Sequence, residues 1–126
     1  MERIVAPVPE KEFVTLYHVC KNAEWEAAIA AGRYIGSSQD QADGFIHFSG
    51  PDQVVASVAK HRAGQDGLVL IACDEAKMQP GLKWEVSRGG ALFPHHYGDL
   101  PLGSVISVRD LPLGADGMHL FPALEI

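Results

Sequence analysis

The run Gly67-Leu68-Val69-Leu70-Ile71-Ala72-Cys73 is the most apolar stretch of the chain. It is far shorter than the ~18 residues needed to cross a bilayer. A strand without polar alternation is apolar on both faces and belongs inside a sheet, so this segment is predicted to be the central strand. Residues 12–20 (EFVTLYHVC), rich in β-branched and aromatic side chains, predict a second buried strand. Shorter strands are expected at residues 45–48, 83–86 and 105–108. Asn22 offers an N-cap to a helix over residues 23–31, with Gly32 placed for a left-handed C-cap. Trp25, Ala28 and Ile29 share one stripe of that helix, which is expected to pack through Trp25. Gly50-Pro51-Asp52 opens a second helix, with Val54, Val55, Val58 and Ala59 as its buried face and Gly64 at its end.

Two segments carry no such signal. Residues 37–44 are polar and irregular, a connection. Residues 87–103 hold glycines, prolines and a histidine pair, and are expected to form one long surface loop of the kind that often carries function. Two early helices and strands spread along the chain predict an α+β fold with a largely antiparallel sheet. Too few helices lie between strands for a doubly wound fold.

At 126 residues the chain is expected to form a single domain, residues 1–126. Its 47% hydrophobic and 21% charged residues are ordinary for a globular protein. The formal net charge of -6 weighs against nucleic acid as a partner, since phosphate contacts need clustered cations. No apolar run suits a membrane, and the first residues are too few and too polar for a signal peptide. Cys20 and Cys73 lack CxxC spacing. They form either one disulfide or two buried thiols, and the thiols suit the reducing cytoplasm expected for this protein.

Six histidines raise the question of where each one goes. His18 and His47 lie inside predicted strands, His18 on the face of Val14, Leu16 and Cys20, and His47 on the face of Phe45 and Ser49. A mid-strand histidine among apolar neighbours must satisfy its ring nitrogens. Each is therefore either a core residue bonded to a backbone carbonyl or part of a cleft shared by the two. Pro94-His95-His96-Tyr97-Gly98 is either a rigid turn with one exposed imidazole or, with Phe93 and Tyr97, a pocket wall. His61, beside Lys60 and Arg62, and His119 look ordinary. Glu85 lies in a strand between bulky apolar residues, so it either pairs with a cation such as Arg88 or serves a site. Asp43-Gly44 looks like turn chemistry. HExxH, paired CxxC, GxxxxGK[ST] and GxSxG are all absent. Three imidazoles from His18, His47 and His95 would suit zinc, but their spacing gives such a site no support and no metal is expected.

Tyr17-His18-Val19, the Trp25 helix, Asp43-Gly44-Phe45-Ile46-His47-Phe48-Ser49, Gln53-Val54, Leu82-Lys83-Trp84-Glu85 and Phe93-Pro94-His95-His96-Tyr97-Gly98 occur in this order. Together they resemble the family called domain of unknown function 952, over about residues 13–108. That family is similar to the ADP-ribosyltransferase-like fold, a split, mostly antiparallel sheet with a few helices and a central cleft that holds NAD in catalytic members. By this resemblance His18 takes the strand position that bonds the adenosine ribose. His47 takes the position that stacks on the nicotinamide side, a His–His pairing similar to the RNA 2′-phosphotransferase branch. Glu85 is the in-strand carboxylate nearest the third position, and no counterpart in the transferases is assigned to the Pro-His-x-Tyr block.

The resemblance implies an enzyme that binds NAD or a related nucleotide and transfers or hydrolyses its ADP-ribosyl group. His18, His47, Glu85 and His95 are the expected catalytic residues, with Tyr17, Ser49, Trp84, Phe93, His96 and Tyr97 around the ligand. The alternative is a non-catalytic binding module using the same histidine-lined pocket. A third possibility treats these histidines as core and loop residues only.

Overall fold

The computed structural model describes residues 14–87 and 89–124. Strand β1 (Thr15–Lys21) pairs antiparallel with β3 (Leu68–Asp74), and β3 pairs antiparallel with β6 (Val105–Leu111). The apolar run is thus the middle strand, buried at six of its seven positions. A second three-stranded antiparallel sheet has the order β2 (Ile46–His47), β5 (Leu92–His96), β4 (Leu82–Val86). Backbone bonds between Tyr17 and Ser49, 2.8 Å in each direction, bridge β1 to the chain just after β2. The fold is α+β with antiparallel sheets, and no helix among the described residues is long and apolar enough to cross a membrane.

Strand alternation in β1 divides two apolar clusters. Leu16 and Cys20 face the larger one, with Trp25, Tyr34, Phe48, Ile71 and Leu100, whereas Tyr17 faces the other, with Val54, Val58, Leu70 and Leu111. Helix α1 (Asn22–Ala31) docks through Trp25, and Gly32 closes it at φ 82°. Helix α3 (Val54–His61) buries Val54 and Val58. Cys20 and Cys73 are free buried thiols, raised by burial to about 11 and about 12 respectively.

The structure corrects several expectations. Asn22 is the first helical residue rather than the cap, and its predecessor Lys21 makes no side-chain cap bond. Ile29, Val55 and Ala59 lie on exposed faces, because each short helix touches the core along a narrower stripe than the sequence suggested. α3 begins only at Val54, after a turn at residues 51–53, and ends at His61. Residues 37–44 are not irregular. Ser38–Asp43 is helix α2, nucleated by a capping box in which Ser37 Oγ accepts from the Asp40 N–H and Asp40 accepts from the Ser37 N–H. Residues 87–103 are not one surface loop, since β5 runs through them with Pro94, His95 and His96 buried. Residues 12 and 13 of the first expected strand lie outside the described residues.

Candidate functional site

A cleft of about 860 Å³ opens where α2, β2, α3 and β5 approach β1. His18, His47 and His95 all contribute to its wall, as do Tyr17, Ser49 and Phe93. Three strands distant in sequence therefore converge on one hollow, but their imidazoles are held in different ways.

His18 is 2% exposed, and both its nitrogens are occupied. Nδ1 lies 2.6 Å from the His47 carbonyl oxygen and must donate to it. Nε2 then accepts from the Tyr34 hydroxyl, also at 2.6 Å. Burial holds the His18 imidazole below its ordinary 6.5, which agrees with this neutral tautomer. The bond to a backbone carbonyl expected of a core histidine is present at His18, whose side chain ties the backbone of β2 to β1 while it also borders the cleft.

Asp40, which sequence reasoning missed, organises the neighbouring end of the cleft. It is 3% exposed. Its Oδ1 is 2.6 Å from His47 Nδ1 and accepts the His47 backbone N–H at 3.2 Å, while Oδ2 takes the Ser37 N–H at 2.8 Å. Burial opposes the charged carboxylate, but the His47 imidazole and these N–H groups outweigh it and hold the group below its ordinary 3.8. Gly36 allows the approach. At φ 106°, a Cβ there would stand 2.6 Å from the Asp40 Cβ. The sequence signal was available, because Ser37-x-x-Asp40 is a capping-box spacing.

The His47 ring is half-exposed and held on both sides, with Nε2 3.1 Å from Asp43 Oδ2. Asp43 is therefore more than a turn residue.

On β5, His95 Nδ1 is 2.8 Å from Glu85 Oε1, and the Tyr97 hydroxyl donates to the same oxygen at 2.8 Å. The His95 and Tyr97 hydrogen bonds hold the Glu85 carboxyl below its usual range, and Glu85 in turn pushes the Tyr97 phenol up. Phe45 stacks on His95 with ring centroids 4.1 Å apart. The His47 and His95 rings meet edge to face at 5.7 Å. Glu85 thus stands behind His95 rather than on the cleft wall. Arg88, the cation expected beside it, lies outside the described residues.

Two expected ligand contacts face elsewhere. In β4, Lys83 and Glu85 take one face and Trp84 the other. There the Trp84 indole donates to Glu75 at 2.9 Å. His96 points away from His95 and is buried beside Gly81, with Nδ1 3.3 Å from the Gly98 carbonyl. Tyr97 reaches the site through Glu85 and through Phe45, whose ring centroid is 5.5 Å from its own. His61, taken as ordinary, borders the cleft with Lys60 and Arg62, and His119 bonds the Gln65 carbonyl. Among the described residues no group of three or more His, Cys, Asp or Glu side chains is placed to hold a metal ion.

The family described as "Protein of unknown function (DUF952)" matches residues 19–108. An X-ray structure of protein CC0527 from Caulobacter crescentus is similar, with 46% identity and a TM-score of 0.79, covering 84% of this chain and 93% of that one. The solution NMR structure of the same protein is 47% identical, with a TM-score of 0.74 and coverage of 82% and 90%. Among curated proteins nothing matches the chain.

Proposed function

The chain belongs to the DUF952 family of unknown function, and we propose that its cleft binds NAD or a related nucleotide and transfers or hydrolyses the ADP-ribosyl group. The observation that carries this reading is the meeting of His47 and His95, 5.7 Å apart, on the wall of a cleft of about 860 Å³. That volume lies in the range of sites that enclose small organic ligands. Asp43 and Asp52 supply negative charge to a developing oxocarbenium ion, and Lys60 and Arg62 on the same wall supply positive charge to a pyrophosphate. Two antiparallel sheets bridged at Tyr17 and Ser49 suit an ADP-ribosyltransferase-like split sheet. Free buried thiols suit the cytoplasm.

Calorimetry with NAD and ADP-ribose tests the binding, and release of nicotinamide tests the chemistry. The wild type is expected to bind, His47→Ala to lose binding, and His95→Ala to bind yet turn over about 10²-fold or more slowly. A wild type that binds no nucleotide ends the proposal. The second reading, a binding module, is favoured by one feature: both nitrogens of His18 and of His47 already have protein partners. Binding without nicotinamide release would select it.

A further inference from the structure

We propose that His95 Nε2 is the proton acceptor of the cleft, set in that state by Glu85, and that it deprotonates a water or hydroxyl acceptor. This deepens the reading above and rests on the cleft being a reaction site, whatever the ligand.

A carboxylate only accepts, so the proton between Glu85 and His95 sits on Nδ1. An imidazole protonated at Nδ1 carries its lone pair on Nε2. The hydrogen bond of this ring is made at Nδ1, none is made at Nε2 among the described residues, and His95 borders the cleft. The ring cannot swing to trade nitrogens, because Phe45 stacks on it at an interplanar angle of 25°. Tyr97 holds the same Glu85 oxygen and keeps the carboxylate in place. None of the other strand histidines offers this. His18 is hydrogen-bonded at both nitrogens, His47 has a carboxylate against each of its nitrogens, and His96 is buried away from the cleft. A carboxylate that orients an imidazole whose far nitrogen is free is the arrangement general-base catalysis requires.

Water and alcohol oxygens are poor nucleophiles until a base removes their proton. In ADP-ribosyl transfer, the acceptor O–H passes its proton to Nε2 as its oxygen bonds the anomeric carbon. The bond from that carbon to nicotinamide breaks, and its electron pair leaves with the nicotinamide nitrogen. His95 is left as imidazolium and returns the proton to solvent. His95 is the catalytic residue here, while Glu85 and Tyr97 are positioning residues.

Two measurements test this without a substrate. Nitrogen-15 NMR of the histidine rings is expected to show His95 as the Nδ1–H tautomer. Glu85→Gln, whose amide oxygen still accepts, keeps that tautomer, and Glu85→Leu shifts it toward Nε2–H. Diethyl pyrocarbonate, read by peptide mass spectrometry, is expected to acylate His95 and spare His18. Glu85→Leu slows the His95 reaction about tenfold and Glu85→Gln restores it. Continued sparing of His18 shows that the Leu variant is folded. An Nε2–H tautomer in the wild type, or equal acylation rates in wild type and Glu85→Leu, overturns the assignment. If nucleotide binding fails while these results hold, the base stands and only the nucleotide is lost.

Discussion

His18 and His95 are both strand histidines with almost no exposed surface, at 2% and 6%, and both touch the same cleft. What separates them is how many ring nitrogens the protein uses. Around His18 it uses two, in a relay from the Tyr34 hydroxyl through the ring to the His47 carbonyl. Around His95 it uses one and leaves the other without a protein partner, on a ring that borders the cleft. Burial alone does not distinguish a structural imidazole from a reactive one. The count of nitrogens engaged by the protein does, because an imidazole bonded at both has no lone pair or N–H left for a ligand, whereas His95 keeps Nε2 free of protein partners.

Alanine at each position should give the largest divergence. His18→Ala removes a packed ring and strands both the Tyr34 hydroxyl and the His47 carbonyl, for an expected loss of about 3 kcal/mol. His95→Ala is expected to cost about 1 kcal/mol while removing the acylation site altogether. Urea unfolding of the two variants measures the gap. Equal losses would erase the distinction between the two histidines.

Acid should act through the His18 side of the comparison. Burial depresses its imidazole below 6.5, so below that pH the unfolded chain binds the proton that the folded chain refuses. Stability is therefore full above pH 6.5 and falls on acidification, by up to about 1.4 kcal/mol per pH unit. His96, also depressed by burial, adds a slope of the same sign. Asp40 acts lower. Its depressed carboxyl contributes stability that is present above 3.8 and lost as the pH drops through its folded value. Unfolding midpoints from pH 8 to 3 should show both windows. His18→Gln should flatten the upper one and Asp40→Asn the lower, and an upper slope unchanged by His18→Gln would show that another group carries it.

Much of this was legible in the sequence, for definite reasons. β3 announced itself by an unbroken apolar run, α1 by Trp25 and its terminal Gly32, and the two faces of β1 by alternation. β5 was hidden because Pro94 sits at its centre, and proline is a strong argument against a central strand. Here Pro94 lies beyond the last β2 pair, and its carbonyl accepts the Phe48 N–H at 3.0 Å, so that pairing asks no donor of it. α2 was hidden because SQDQAD has no apolar face, leaving its capping box as the only sign. Convergence of His47 and His95 could be suspected from motif blocks. Which nitrogen each ring leaves free depends on contacts with Asp40, Asp43 and Glu85 that run across strands and turns, and no local pattern encodes them.

The finest test concerns α2, which carries the Asp40 carboxylate between His18 and His47. Asp40 lies 3.6 Å from His18 Nε2 and 2.6 Å from His47 Nδ1, and the Ser37 cap sets its place in the chain. Ser37→Ala removes the hydroxyl that accepts from the Asp40 N–H but leaves the Ser37 backbone N–H to hold Oδ2. The expected loss is about 1 kcal/mol, well below that of His18→Ala. If α2 serves the cleft as well as the core, the same change should also loosen the His47 ring, seen as broadened His47 ring resonances beside a sharp, unmoved His95. A stability loss with both rings undisturbed would make the cap part of the scaffold alone. His47 would then depend on Asp40 by contact, and not on the helix that carries it.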